Sequence, residues 1–142
     1  MASGNGTHVI VVVAAEIRDK EGRYLLTQRN PHAVLPLLWE FPGGRVHDDE
    51  KPEDALSRCL RDKLGIEIEV QDRRLQVERD YETYRVQLQA WSATIRRGKP
   101  TREDVWDYRW VRPTEFAEYT FPPADKETVD QLVGMTEPTN AA

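Results

Sequence analysis

The chain has 142 residues, of which 39% are hydrophobic and 32% charged, and its formal net charge is −5 at pH 7. This composition is typical of one globular domain with a single core, and it excludes a disordered chain. Surfaces that neutralise a nucleic-acid backbone are usually basic, so the negative charge argues against nucleic acid as the main partner.

The single cysteine, Cys59, cannot form an internal disulfide or a cysteine-rich zinc site, which fits a reducing compartment. The apolar run VIVVVAA, at residues 9–15, is too short for a membrane span or for a signal-peptide core with proper flanks. We therefore expect a cytoplasmic protein. We expect one domain over residues 8–134, with a flexible leader at 1–7 and a flexible tail at 135–142.

The first predicted elements are two strands. Residues 9–17 form an apolar, β-branched run, and residues 23–29 resume this pattern after the turn signal DKEG. This arrangement predicts a hairpin. Residues 30–38 carry two prolines and no clean period, and WEFPGG at 39–44 combines aromatic residues with a proline and two glycines. Both segments are therefore predicted as loop and turn.

The next element is an amphipathic helix of about three turns. Pro52 is a favourable first-turn residue behind the acidic DDE, and Gly65 provides a C-terminal stop. Between them, apolar residues recur at helical spacing at Ala55, Leu56, Leu60 and Leu64.

The remainder of the chain is predicted to contain strands first and helices last. The strand segments are 66–70 with 76–80, 83–95 and 106–111. Two helical segments, 113–119 and 123–133, each begin with a proline. This order of elements predicts an α/β protein in which helices pack on a mixed sheet.

The helix lies inside a motif with defined spacing, GGRVHDDEKPEDALSRCLRDKLGI. This segment resembles the Nudix box, in which a glycine, a glutamate, an Arg-Glu pair, two further glutamates and a final glycine stand at fixed intervals. Asp62 is a conservative replacement in that pattern. The positions that match outright are Gly44, Glu50, Arg58, Leu60, Gly65 and Ile66.

The resemblance extends over about residues 9–132. WEFPGG before the box and FPPAD near the end are similar to the MutT-like branch of the Nudix superfamily, which hydrolyses nucleoside triphosphates to monophosphates and pyrophosphate. It implies the Nudix fold, an α/β/α sandwich around a mixed β-sheet. It also implies nucleotide or other phosphorylated ligands and, if the protein is an active enzyme, Mg²⁺ as cofactor.

Three positions of the box would carry metal-binding glutamates, but this chain has Cys59, Asp62 and Lys63 there. At about 100° per residue these positions fall within an arc of about 100° on one helix face. Three negative charges are thus replaced by a neutral thiol, one carboxylate and one ammonium. Cysteine is a soft ligand unsuited to magnesium, so we expect magnesium binding to be weak or absent.

Lys63 admits two interpretations. Its ammonium could take the place of the metal charge and contact a bound phosphate, or it could point to solvent and pair with Glu67 at i,i+4. Cys59 is interpreted as a small semi-buried residue, because no histidine nearby in sequence would activate it as a nucleophile.

The resemblance implies further roles in the box and in a late loop. Asp62, Arg58 and Glu50 take the family's catalytic positions, although Arg58 is expected to organise the loop through an ion pair with Glu50. The backbone carbonyl near Gly44 and the acid Asp104 would complete a metal set with Asp62. Glu103 could replace Asp104, or either acid could be a solvated loop charge.

Ligand contacts are also implied by position. Arg29 and Phe41 resemble residues that contact the substrate, and a guanidinium suits a phosphate or a base edge. Asp125, in FPPAD, falls where the family reads the base. An ionised carboxylate only accepts hydrogen bonds, which permits a base with an amino group. Asp125 could equally cap the last helix.

Three functions remain open at this point. The first is a slow magnesium-dependent pyrophosphohydrolase. The second is a nucleotide-binding module that uses Arg29, Lys63 and Asp125 without hydrolysis. The third is a protein-interaction module with no small ligand. Four tryptophans permit either a monomer or a homodimer.

Overall fold

The computed structural model describes residues 8–33 and 35–121, which form seven strands, one α-helix and one short 3₁₀ helix. The helix α1 spans Pro52–Leu64 and the 3₁₀ helix spans Pro113–Glu118. The strands are β1 His8–Ile17, β2 Tyr24–Gln28, β3 Trp39–Glu40, β4 Gly43–Arg45, β5 Glu67–Asp80, β6 Tyr84–Arg97 and β7 Asp107–Val111. The helix predicted at 123–133 lies outside the described residues.

The strands divide into two sheets. One is four-stranded, in the order β4-β1-β6-β5, and the other is three-stranded, in the order β3-β2-β7. The larger sheet is mixed, because β1 runs parallel to β6 and antiparallel to β4. The predicted α/β class with a mixed sheet is confirmed, although a division into two sheets was not predicted.

The predicted hairpin of the first two strands is wrong. β1 pairs with β4 and β6, whereas β2 pairs with β3 and β7. The two meet at one isolated bridge between Arg18 and Tyr24. The turn between them is closed by Asp19, whose carboxylate accepts hydrogen bonds from the backbone N–H groups of Glu21 and Arg23 at 2.9 and 2.8 Å. This turn resembles a hairpin turn but delivers the chain into the second sheet.

WEFPGG forms two short strands, β3 and β4, where turn alone was predicted. Gly44 and Gly43 of β4 pair with Val13 and Ala14 of β1. A side chain at Gly43 could not be accommodated, because a Cβ atom there would lie 1.9 Å from the carbonyl oxygen of Val13. The glycine pair thus permits a close strand contact, whereas sequence composition alone indicated a loop.

The predicted helix is confirmed at both ends. Pro52 occupies its first turn, and Gly65 ends it in the left-handed conformation (φ 70°), donating from its backbone N–H to the carbonyl of Arg61. Its apolar side packs on the inner face of β1 in one core. The core residues from the two elements include Val13, Ala15, Ile17, Leu56, Leu60 and Leu64. This packing fixes which side of α1 faces β4.

β5 and β6 form a long ribbon of two 14-residue strands. Separate strands were predicted at 66–70 and 76–80, but the structure joins them into one strand with register shifts between Val70 and Arg73 and between Arg73 and Leu75. β5 forms the edge of the larger sheet, and its residues 71–80 are exposed.

Candidate functional site

A cleft of about 530 Å³ opens over β1 and β6, beside β4 and the outer face of α1. One part of its lining is apolar and aromatic, and consists of Val12, Phe41, Val86, Leu88 and Phe121. The rings of Phe41 and Phe121 lie 6.4 Å apart between centroids. This part of the cleft is suited to a flat, partly apolar group.

The other part of the lining is charged. The described residues place there the cationic side chains of Arg29, Arg45 and Lys63 and the single carboxylate of Glu40. Arg29 Nη1 lies 3.4 Å from the Glu40 carboxylate, at the long end of the hydrogen-bond range. Burial raises the pKa of the Glu40 carboxyl, while the charges of Arg29 and Lys63 partly oppose the rise. Positive side chains therefore predominate in this part of the lining.

Lys63 lies inside this cleft and does not point to solvent. Its Nζ donates a hydrogen bond of 2.5 Å to the carbonyl oxygen of Gly43 on β4. Of the two interpretations of Lys63, the one in which it points to solvent and pairs with Glu67 is wrong, because Glu67 lies 3.8 Å from Arg97 instead. The Lys63 ammonium is thus held by a backbone carbonyl at the wall of the cleft.

Cys59 lies behind Gly44, one helical turn before Lys63. The side chain is buried, with 3% of its surface exposed, and a Cβ atom on Gly44 would lie 2.7 Å from its sulfur. Burial raises the pKa of the thiol, and the positive charges of Lys63 and Arg58 oppose this only in part. Cys59 is therefore a neutral packing residue at pH 7 and not an activated thiolate.

Glu50 and Arg58 form the predicted ion pair. Arg58 donates from Nε and Nη2 to the two Glu50 oxygens at 2.8 and 2.9 Å, and from Nη2 to the carbonyl of Arg45 at 3.0 Å. The hydrogen bonds from Arg58 and from the backbone N–H of His47 lower the pKa of the Glu50 carboxyl to about 2. The pair connects α1 to the loop that follows β4.

The acids predicted to bind metal do not line the cleft. Asp62 is exposed and does not line the cleft. Asp104 and Glu103 are exposed too: the backbone N–H of Asp104 donates to the carbonyl of Lys63 at 3.0 Å, and the Glu103 carboxylate accepts from the Thr101 hydroxyl at 3.1 Å. Among residues 8–33 and 35–121, no group of three or more His, Cys, Asp or Glu side chains could hold a metal ion.

The residues beside Gly44 do not fit a magnesium ion. Magnesium prefers oxygen ligands in octahedral geometry, whereas the side chains next to Gly44 are a protonated thiol and an ammonium. A dication about 4 Å from an ammonium would be repelled by on the order of 8 kcal/mol at an effective dielectric near 20, before further solvent screening. The local chemistry favours an anion over a dication.

Two charged residues of the cleft, Glu40 and Arg45, were not predicted from the sequence. Arg45 directly follows the glycine pair and Glu40 stands between Trp39 and Phe41, and neither position carries a periodic signal in the sequence. Asp125, predicted to contact the base, lies outside the described residues. No helix in the described part of the chain is long and apolar enough to cross a bilayer.

Comparison with known proteins gives consistent matches. A sequence model of the NUDIX domain matches residues 13–131. A CTP pyrophosphohydrolase of Escherichia coli (strain K12) is 34% identical over 126 residues, covering 89% of this chain and 93% of its own. An 8-oxo-dGTP diphosphatase of Haemophilus influenzae is 29% identical, covering 90% of this chain and 94% of its own.

A solved structure agrees with these matches. The solution structure of the E. coli ORF135 protein superposes with a TM-score of 0.70 at 32% sequence identity, and 91% of each chain is covered. The similarity therefore includes the strands that form the cleft as well as the helix that carries Cys59 and Lys63.

Proposed function

The chain belongs to the NUDIX domain family, in its MutT-like branch, and from this membership we propose that it binds nucleoside triphosphates in the cleft between β4, β6 and α1. Magnesium-dependent release of pyrophosphate is weakened or lost relative to members with three carboxylates on the helix. The observation that carries the proposal is the division of one cleft into an aromatic part and a cationic part.

The orientation of the ligand follows from this division. The base lies at the apolar part, against Phe41, and the polyphosphate extends toward Arg29 and Lys63. Planar bases pack favourably on aromatic rings, and guanidinium and ammonium groups are the usual protein partners of phosphate. Asp125 is included as a base contact, because its carboxylate would accept from the amino group of cytosine or adenine.

The weakened catalysis follows from the donor groups on α1. A divalent ion would depend on Asp62, Asp104 and a backbone carbonyl near Gly44, and the two carboxylates are exposed outside the cleft lining. Mg²⁺ remains the proposed cofactor for any residual hydrolysis. Glu50 and Arg58 serve this site by positioning the loop and not by touching the phosphate.

The proposal is tested with purified protein and a panel of ribo- and deoxyribonucleoside triphosphates, with and without magnesium. Two quantities are followed: the shift in Tm on ligand addition and the rate of pyrophosphate release. We expect Tm shifts with slow or undetectable turnover. Rapid magnesium-dependent turnover would overturn the weakened catalysis, and no Tm shift with any nucleotide would favour a protein-interaction module.

Phe41→Ala is the variant that tests the location of the site. Removal of the ring should weaken nucleotide binding, because the base loses its aromatic contact. Trp106→Ala is a matched control, since Trp106 is a large, exposed aromatic residue that does not line the cleft. Equal loss of binding in both variants would contradict the proposed location.

A further inference from the structure

The cleft contains a side-chain cation, Lys63, at the point where it meets α1 and β4. We propose that the Lys63 ammonium takes the place of a divalent cation, so that the cleft binds the polyphosphate in its metal-free form and magnesium weakens binding. This inference rests on the proposed nucleotide-binding function and specifies which form of the ligand is bound.

The first support is the way in which the ammonium is held. Lys63 Nζ donates to the Gly43 carbonyl at 2.5 Å, so one of its three N–H groups is fixed on β4. Nζ lies on the cleft lining, and a Cβ atom on Gly44 would be 3.5 Å from it. Among residues 8–33 and 35–121 no second acceptor engages Nζ, so its remaining N–H groups can donate to a phosphate oxygen. A fixed donor loses less rotational freedom on binding than an unrestrained lysine would.

The second support is that the part of the lining described by residues 8–33 and 35–121 holds one acid against three cationic side chains. Cys59, one turn earlier on α1, is a buried cysteine and not a carboxylic acid. Among the described lining residues the only carboxylate is Glu40, which faces Arg29 as well as Lys63. Lys63 thus has a cysteine at position 59, where a magnesium-dependent member would have an acid.

The consequence for ligand choice is electrostatic. A nucleoside triphosphate without magnesium is more negative than its magnesium complex, and its phosphate oxygens are free to accept hydrogen bonds from side chains. A cleft with a built-in cation gains more from the free form. The magnesium complex would also bring a dication close to Lys63. Added magnesium should therefore act as a competitor that removes the preferred form of the ligand from solution.

The test is isothermal titration calorimetry with CTP at constant ionic strength, in EDTA and in excess magnesium chloride. We expect binding in EDTA to be about tenfold tighter than in magnesium, the effect of a single favourable charge contact. Lys63→Gln should remove the preference for the metal-free ligand and weaken binding in EDTA about tenfold. Lys63→Arg should keep both the preference and the affinity in EDTA. Lys99→Gln is the matched control, because Lys99 is exposed on the loop after β6 and does not line the cleft.

The outcomes are distinguishable. Binding that requires magnesium, or that is unchanged in Lys63→Gln under both conditions, would overturn the inference while leaving nucleotide binding in place. Binding of no nucleoside triphosphate under either condition would overturn the proposed function itself. A Tm measured for each variant without ligand separates loss of binding from loss of folding. Lys63→Arg tests the same role of position 63 in a variant that keeps the positive charge.

Discussion

The loop before α1 and the outer face of α1 belong to the same motif, but their side chains are used differently. Glu50 of the loop accepts two hydrogen bonds from Arg58 of α1, and Arg58 also donates to the carbonyl of Arg45. On the helix face, Cys59 is buried against Gly44, and Lys63 extends to Gly43. The part of the motif that builds the loop thus persists, whereas the part that would bind metal has changed its charge.

The largest expected effect is on the free energy of unfolding, from a substitution on the buried side of α1, which positions both the loop and the helix face. Leu60 is fully buried, so Leu60→Ala removes packing in the main core and should lower the free energy of unfolding by about 3 kcal/mol. Urea denaturation followed by circular dichroism measures this loss. Asp62→Ala, on the exposed side of the same helix, should change it by less than about 0.5 kcal/mol. Equal effects would contradict the packing described.

The next largest expected effect is on magnesium affinity, from a variant that places acids on the helix face and leaves the loop unchanged. Cys59→Glu combined with Lys63→Glu replaces a neutral and a positive group with two carboxylates. Magnesium affinity, measured by calorimetry, should rise by at least about tenfold. The control is Thr94→Glu with Lys99→Glu, which makes the same change in charge at exposed positions. No tighter binding in the helix variant would refute the electrostatic account of this face.

A smaller effect is expected from Arg58→Ala, which acts on the loop and not on the cleft. The Glu50 carboxylate loses its two hydrogen bonds from Arg58, and the Arg45 carbonyl loses a donor. We expect less than half the stability loss of Leu60→Ala, as measured by the same denaturation. Arg58→Lys should be more stable than Arg58→Ala but less stable than the wild type, because an ammonium cannot reproduce the paired guanidinium contacts. Full recovery in Arg58→Lys would show that charge alone is sufficient.

The smallest effect is the acid dependence of the Glu50 contact. The pKa of Glu50 is lowered from its ordinary value of 4.5 to about 2, so the folded state favours the ionised carboxylate. Its contribution to stability is complete above about pH 4.5 and is lost as the pH falls toward 2. The stability difference between the wild type and Glu50→Gln should therefore shrink over this window. A difference independent of pH between 6 and 2 would contradict the assignment.

The elements that local signals define were predictable from the sequence. The limits of α1 follow from Pro52 and Gly65, and its buried side follows from leucines at helical spacing. The prediction of a hairpin was wrong because the partner of a strand is not determined by the residues next to it. β1 pairs in parallel with β6, for example His8 with Tyr84, far along the chain. The turn at Asp19 gives no indication of which sheet the next strand joins.

The candidate site was predictable in its residue positions but not in its contacts. The spacing of the motif places Cys59 and Lys63 on one face, and the structure brings both against β4. The spacing of the motif does not reveal that Lys63 binds the Gly43 carbonyl, because that contact depends on β4 lying next to β1 and α1 in the folded chain. Glu40 was missed for the same reason: a single acid between two aromatic residues carries no periodic signal.

The register shifts along β5 bear on how the protein behaves at high concentration. An uninterrupted edge strand exposes a regular row of backbone donors and acceptors, which invites pairing with a neighbouring copy. Here that row is broken near Arg73, and the flanking exposed segment carries several charges, including Arg74, Glu78 and Arg79. An irregular and charged edge of this kind is less suited to pairing with a neighbouring copy than a flat, uncharged one.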